Sequence, residues 1–436
     1  MKSLFTVFIN LGITLAWSSL SAQTTASSDS VSLSYIVNQV TGNYPTIKKN
    51  EQDISAADAR IGLAKTAYYP DISLNSSYSH IGPVSSITFP GFGTFDLYPA
   101  NNYSATINYN QTVYDFGKTE KIVAMESQNK ALASLSTDQI KQRLSLSIVN
   151  IYYAIVYLQE AIKIKDEQLN TLTGHLRFVE KKKETGSATT YEVLTTKVRI
   201  STIENQKTDL QTSLKVQICQ MNSLLGKPEK TSLTVKKELQ PVVSFMSDDS
   251  LPVYATRTRQ ELKIAQQRIN VSELRYKMIN TEHSPVVTAF ASGGVKNGYF
   301  PDMNQGKLNY VIGVGLKIPV FDAGRTKFNL LQIKTDIENS KQDEELTRRN
   351  IVNEVVENEA GVEAALQKIT QLQLQLKQAE QAYTLAETSF RSGVITNIEL
   401  LDNATSLSEA KLMMLKANID YSVSVLKLKL ALGEKL

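Results

Sequence analysis

The sequence predicts an internally duplicated α+β membrane protein with four transmembrane β-strands and long α-helical coiled coils in each chain. Three observations support this fold class. The N-terminus has the features of an export signal, and the same order of motifs occurs twice along the chain. In both halves, segments of alternating polarity come directly before helices with a heptad repeat.

The N-terminus is predicted to be a secretory signal peptide over residues 1–22. Lys2 supplies a positive charge, residues 4–17 are mostly apolar, and Ala22 ends a short region before Gln23 that is suited to cleavage. After this signal, no run approaches the roughly 18 consecutive apolar residues of a membrane-spanning helix. A mature chain that spans a membrane is therefore expected to use β-strands.

Two repeats are related by a constant offset of 207 residues from the strand-to-helix junctions onward, and by 215 residues before the strands, where Pro70 matches Pro285. Residues 113–118 (VYDFGK) recur as residues 320–325 (VFDAGR), and Gly186 and Glu192 recur as Gly393 and Glu399. We predict a first repeat over residues 23–226 and a second over residues 256–436. Residues 227–255 contain three prolines and are expected to form a linker or a small irregular segment.

For the first repeat, the sequence predicts four parts in order. They are a helix over about residues 33–66, two strands, a helix over residues 118–184 and a returning helix over residues 190–225. The strand at residues 103–113 alternates cleanly, and its apolar face consists of Tyr103, Ala105, Ile107, Tyr109 and Val113. Residues 308–318 repeat this pattern in the second half. Weaker strands begin at Ile72 and lie over residues 286–296, and the sequence does not define the lipid face of residues 286–296.

A soluble sheet with one wet face is the alternative for these segments. The length of the strands matches the 9–11 residues of a membrane barrel strand. Four strands cannot close a barrel, and an open edge cannot face lipid, so the barrel must be shared between chains. The connections at residues 82–102 and 297–307 would then be extracellular loops.

The helices after the strands carry a sustained heptad repeat, which predicts coiled-coil packing. The repeat runs through Ile148, Ile155, Ile162, Leu169 and Leu176 in the first half and through Val355, Val362, Ile369, Leu376, Tyr383 and Phe390 in the second. A helix over residues 118–184 would be roughly 100 Å long at 1.5 Å per residue. That length is suited to crossing a compartment.

Composition argues against several function classes. The formal net charge is only +4, with Lys and Arg matched by Asp and Glu, so we expect no nucleic-acid partner. The single cysteine, Cys219, excludes an intramolecular disulfide, and the three histidines lie far apart. We expect no catalytic residues, no metal site and no cofactor.

The whole pattern resembles the TolC family of outer-membrane efflux channels. The resemblance rests on Tyr69-Pro70, on the junctions at Asp115 and Asp322, on the turn from Gly393 to Asp402, and on residues 431–433 (ALG). It implies a homotrimer in the outer membrane of a Gram-negative bacterium, with a twelve-stranded barrel continued by an α-helical tunnel in the periplasm.

The resemblance also implies partners and a role. The channel would be the exit duct of a tripartite efflux or type I secretion system, working with a periplasmic adaptor and an inner-membrane transporter. The alternative is a periplasmic coiled-coil adaptor or structural protein of an envelope complex. An adaptor would normally show one helical hairpin flanked by small β-domains, without duplicated strand pairs.

Three groups of candidate site residues follow. The tips that the resemblance assigns to adaptor docking are Gly186, Ser187, Ala188, Thr189, Gly393, Val394, Ile395 and Thr396; locally, these turns predict a glycine C-cap followed by a polar N-cap. Glu399, Asp402 and Glu192 would line a pore constriction, or simply form solvated helix starts. Asp115 and Asp322 are expected to be helix N-caps at the barrel junction. Ile395 stands where some members of the family carry a basic gate residue.

Overall fold

The computed structural model describes residues 30–241 and 250–435. The predicted signal peptide lies outside these residues. The first half contains α1 (Leu33–Asn43), α2 (Pro45–Thr66), β1 (Asp71–His80), β2 (Ser86–Phe89), β3 (Gly93–Asp96), β4 (Asn101–Tyr114), α3 (Lys118–Glu184) and α4 (Thr190–Leu225). The second half contains α5 (Leu251–Thr258), α6 (Gln260–Asn280), β5 (Val286–Lys296), β6 (Lys307–Lys317), α7 (Arg325–Arg391) and α8 (Asn397–Ala431).

Four strands form one antiparallel sheet in the order β1-β4-β5-β6, so both halves contribute to it. The register aligns Leu74, Ile107, Gly293 and Tyr310 in one row across the sheet. Residues directly opposite each other share a face. The row therefore assigns the outer face of β5, which the sequence left open, to Val287, Ala289, Ala291, Gly293 and Val295.

The outer face of the sheet is apolar and exposed. On β6, Leu308 and Ile312 are 87% and 77% exposed, and on β1 Leu74 is 72% exposed. The opposite face carries serine, threonine and asparagine, together with Phe290, whose ring covers Gly313. This arrangement matches a barrel wall with lipid outside and a polar interior.

The two edges of the sheet are β1 and β6, which do not pair with each other. Lipid cannot form hydrogen bonds with the backbone, so the N–H and C=O groups along a sheet edge inside a membrane must pair with another strand. The four strands of the single chain therefore form an open sheet rather than a closed barrel.

The prediction for the barrel junction needs a correction. Residues 117 and 324, both glycines with φ near +80°, are the N-caps of α3 and α7. The Asp115 carboxylate still accepts hydrogen bonds from the N–H groups of Gly117 (3.1 Å) and Thr119 (2.8 Å). Asp322 repeats this geometry. Each aspartate lies two residues before its N-cap glycine. Its side chain reaches back to the start of the helix and accepts hydrogen bonds from N–H groups that have no partner within the helix.

The long helices α3 and α7 confirm the heptad prediction, and both have 67 residues. Ile148, Ile155, Val355 and Val362 are buried completely. An 18-residue stretch of α3 is apolar enough to cross a membrane by composition alone, but half of it is buried inside the chain, as in a core helix.

The helix expected over residues 33–66 is two helices, which meet at Tyr44 and Pro45. Proline disfavours helical backbone at the preceding residue, and Tyr44 is extended with ψ 133°. Arg259 separates α5 from α6 with a similar extended backbone, ψ 132°, although no proline follows it.

The predicted linker is also shorter than 227–255. Helix α5 begins at Leu251, within that range. Before it, Val235 pairs with Val31 in a single parallel bridge, so the described part of the linker returns to the start of the first repeat.

Candidate functional site

The two turns at the far end of the helices have the same backbone geometry. Gly186 and Gly393 have φ values of 75° and 73°, in the left-handed region that glycine reaches without steric cost. The N–H of Ser187 donates to the carbonyl of Lys182 at 2.7 Å, and that of Val394 donates to Ser389 at 2.9 Å. Both contacts close the end of a long helix in the manner of a Schellman motif.

Each returning helix then begins with a capping box. The Thr189 hydroxyl accepts from the N–H of Glu192, and the Glu192 carboxylate accepts from the N–H of Thr189 at 3.0 Å. Thr396 and Glu399 form the same pair, at 2.7 Å from the Thr396 N–H to the Glu399 carboxylate. Two of the three predicted constriction acids therefore also fix the start of their own helix.

The eight predicted tip residues divide into two groups. Ala188 and Ile395 are half-buried and pack against the apolar cluster formed by Val179, Val193, Ala386, Phe390 and Leu400. The other six are exposed, and Val394 is 76% exposed. The turns thus present a small exposed surface that is anchored from below by two apolar side chains.

The side chains of Glu399 and Asp402 are both exposed on the first turns of α8. Hydrogen bonds from the Thr396 backbone and then from its hydroxyl lower the pKa of Glu399 below its usual value. Asp402 has a different partner, because its Oδ1 lies 2.7 Å from Nη2 of Arg199 on α4. Sequence analysis missed Arg199, which has no basic counterpart at the equivalent position in the second half, Ser406.

A second missed group joins three helices just above the turns. Asn397 is only 2% exposed, and its amide nitrogen donates to the carbonyl of Glu192 at 3.3 Å and to the hydroxyl of Thr196 at 3.2 Å. Its amide oxygen lies 2.6 Å from Nε2 of His175 on α3. These contacts bring the starts of α4 and α8 together, and with them Glu192 and Glu399.

His175 is partly buried beside the ring of Phe390, with the ring centroids 5.1 Å apart. Burial lowers its pKa, although the hydrogen bond to Asn397 and the charges of Glu387 and Glu192 oppose the shift. The ring is therefore neutral at neutral pH. Because the amide nitrogen of Asn397 is already a donor, its oxygen must accept, and Nε2 of His175 carries the proton.

An outer-facing apolar sheet with open edges, set on coiled-coil helices roughly 100 Å long, defines an outer-membrane channel subunit whose helices extend into the periplasm. The chain belongs to the outer membrane efflux protein family, whose model matches residues 36–227 and 251–434. It is an outer-membrane exit duct of the kind used in efflux or secretion, and it is not an enzyme.

Individual relatives agree with this assignment. The chain is 20% identical to the outer membrane protein TolC of Salmonella enteritidis, over 99% of this chain and 86% of that protein. It is 22% identical to the alkaline protease secretion protein AprF of Pseudomonas aeruginosa, over 76% of this chain and 70% of that protein. The solved structure of VceC from Vibrio cholerae superimposes with a TM-score of 0.76 at 19% identity, covering 92% of this chain and 96% of that one. Channels of this family are trimers that work with periplasmic adaptors and inner-membrane transporters.

Proposed function

We propose that three copies of this chain form a duct in which the sheet meets lipid, the two turns bind a periplasmic adaptor, and the starts of α4 and α8 line the narrowest part of the pore. The inner-membrane transporter would supply the energy. The observation that carries the proposal is the sheet itself. It has one largely apolar, exposed face and, among the described residues, two unpaired edges, a combination that needs both lipid and further copies.

The turns suit a docking surface because their conformation is fixed before binding. The two Schellman ends and the two capping boxes hold Gly186 and Gly393 in matching geometry, so one chain presents two similar sites. A partner that packs on preformed turns loses little conformational entropy on binding. The exposed valine in the second turn, Val394, stands where the first has Ser187, so the two sites differ in polarity.

The constriction we propose carries less negative charge than its acids alone suggest. Each chain contributes Glu192, Glu399 and Asp402, but the guanidinium of Arg199 compensates Asp402. Three copies would therefore present six carboxylates that have no ion-pair partner among the described residues, together with three Arg–Asp pairs. The unpaired carboxylates repel one another, and cations relieve that repulsion. The site would therefore favour the passage of cations and would bind divalent ions.

Assembly and charge are tested separately. Native mass measurement in detergent should give a trimer of the mature chain, and a stable monomer without membrane association would refute the assembly. Planar-bilayer recordings of the double variant Glu399→Gln/Asp402→Asn should then show weaker cation preference and weaker divalent block. Unchanged selectivity would show that the constriction lies at other residues, and the assignment of the chain as an exit duct would still hold.

The alternative of a periplasmic coiled-coil adaptor or structural protein is not supported. It would leave an exposed apolar sheet face without a function, and the family match extends over both repeats, strands included. Nucleic acid is likewise not expected as a partner, because the formal net charge of the chain is only +4.

A further inference from the structure

The connection between β1 and β4 contains an amphipathic β-hairpin that sequence analysis did not foresee. Strands β2 and β3 pair with Ile87 opposite Phe95 and Phe89 opposite Gly93. Because side chains alternate along a strand, Ile87, Phe89 and Phe95 share one face. The other face is polar and consists of Ser86, Thr88, Thr94 and Asp96, with the Thr88 and Thr94 hydroxyls 2.8 Å apart.

Within the described residues, the apolar face of this hairpin is left largely open. Phe89 and Phe95 are 51% and 48% exposed, and Phe92 at the turn is 82% exposed. An isolated two-stranded hairpin is marginally stable in water and needs a packing partner. Since the loop extends beyond the ends of the strands opposite the periplasmic helices, it lies on the extracellular side, away from the adaptor and the transporter.

The position of the hairpin in the sheet identifies a partner. The hairpin leaves from β1, which is an edge strand, and closure of the barrel pairs β1 of one copy with β6 of the next. Strand β6 begins at the extracellular end, directly after the loop at residues 297–306. We call the junction between β1 of one copy and β6 of the next the seam. The loop of the neighbouring copy therefore emerges beside the hairpin, on the other side of this seam.

The neighbouring loop also has matching chemistry. Phe300 is 64% exposed and Tyr299 is 37% exposed, so the loop offers aromatic side chains. Lys296 and Lys307, at the adjoining ends of β5 and β6, hold these aromatic residues in place. The Lys307 ammonium donates to the carbonyl of Phe300 at 3.1 Å, and the Lys296 ammonium lies 5.4 Å from the centroid of the Tyr299 ring.

The hairpin segment carries little charge. Asp96 is the only charged residue between positions 81 and 100. The absence of lysine and arginine from this segment argues against anionic lipid headgroups as the cover, because they attract basic segments. An apolar face rich in aromatic side chains fits the aromatic residues of the neighbouring loop instead.

We propose that the apolar face of the β2–β3 hairpin packs on the 297–306 loop of the adjacent copy, so that three such contacts fasten the extracellular rim of the barrel across its seams. The contact rests on the proposed trimer and adds a second interface to the pairing of β1 with β6. The aromatic groups on the two sides are Phe89 and Phe95 of one copy and Phe300 of the next.

Cysteine cross-linking tests this contact. In a Cys219→Ser background, which removes the single native thiol, Phe89→Cys and Phe300→Cys are placed in separate chains with different tags and expressed together. A short bis-maleimide is applied to outer membranes, and purified trimers are analysed after denaturation. We expect a cross-linked dimer that carries both tags.

The matched control replaces Phe89→Cys with Thr88→Cys, one residue away on the polar face. Its yield with Phe300→Cys should be several-fold lower. A second apolar pair, Phe95→Cys with Phe300→Cys, should behave like the first and guards against one hairpin variant that fails to fold.

The remaining outcomes overturn the proposal in distinguishable ways. Cross-links between two Phe89→Cys chains would mean that the hairpins meet on the three-fold axis. Intact trimers without mixed-tag products would mean that the apolar face turns to lipid or solvent, and equal yields from both faces would mean that it has no specific partner. Failure to obtain trimers by native mass would refute the proposed assembly itself.

Discussion

Arg199 and Asp402 form an ion pair between α4 and α8, with Nη2 of the arginine 2.7 Å from Oδ1 of the aspartate. The two helices belong to different repeats, so the pair connects the two halves of one chain next to the proposed constriction. The arginine side chain is 33% exposed and the aspartate 61%, and an exposed pair of this kind stabilises a fold by about 0.2–1 kcal/mol at most. We expect its larger effect to be on the charge of the proposed constriction.

Arg199→Gln should therefore make the channel more selective for cations. The substitution removes one positive charge per chain and leaves the Asp402 carboxylate uncompensated. A unit charge attracts a monovalent cation at 4 Å by about 1 kcal/mol in water, less in salt, so the cation-to-anion permeability ratio should rise about two- to five-fold. Reversal potentials under a salt gradient in planar bilayers measure this ratio.

Lys197→Gln is the control for Arg199→Gln. It removes the same charge from the same helix, but its partner is Glu180 at 3.1 Å and Asp402 keeps its arginine. A smaller change is expected from this variant. Equal shifts in both variants would show that only the total charge of the region matters.

The turn glycines make a second prediction. Gly393→Val should impair efflux and co-purification with an adaptor while the barrel still inserts, because a β-branched residue at φ 73° costs about 1–2 kcal/mol. Gly393→Asn should restore most of the function, since asparagine tolerates the left-handed region.

Gly174→Val serves as the matched control for the turn. Gly174 lies within α3 with an ordinary helical φ, and a Cβ added there meets no atom within 4 Å. Loss of adaptor binding in this variant as well would indicate a general effect of valine near the tip. Normal efflux in Gly393→Val would remove the turn from the docking surface.

The sequence predicted the repeats, the heptad helices and the four main strands because these features follow local periodicity. It missed the break at Tyr44 because the heptad-like spacing continues across Pro45, where the missing N–H is tolerated at a helix start. Arg199 and Asn397 were missed for another reason. Their partners lie more than 200 positions away, and only the packing of α4 against α8 brings them together.

The barrel junction makes a prediction about acid. Hydrogen bonds from the Thr326 side chain and backbone lower the pKa of Asp322 to about 2, from 3.8 in an unfolded chain. The ionised carboxylate therefore stabilises the start of α7 fully above about pH 4, and this contribution is lost as the pH falls towards 2.

Hydrogen exchange at the first turn of α7 measures that loss. Relative to Asp322→Asn at each pH, the parent chain should protect this turn at pH 5 and lose the advantage near pH 2. The turn of α3, at Asp115, offers an internal comparison, because its carboxylate also has a lowered pKa. An advantage that is independent of pH would show that Asp322 does not act through its charge.

The last prediction concerns His175 and the group of side chains around Asn397. Burial lowers the pKa of this histidine below its unfolded value, so its neutral form stabilises the junction of α3, α4 and α8. That stability is complete above about pH 6.5 and is lost as the pH falls through the lower folded pKa, because the unfolded chain then binds the proton more readily. Acidification should therefore loosen the first turn of α4, where Asn397 holds Thr196.

Hydrogen exchange of residues 190–196 at pH 7.5 and pH 5 would reveal this as faster exchange in acid than the chemical rate alone explains. His175→Gln keeps a donor for the Asn397 oxygen but cannot titrate, so its protection should not depend on pH in this range. The same acid response in the parent and in the His175→Gln variant would show that the neighbouring carboxylates, Glu192 and Glu387, cause the effect.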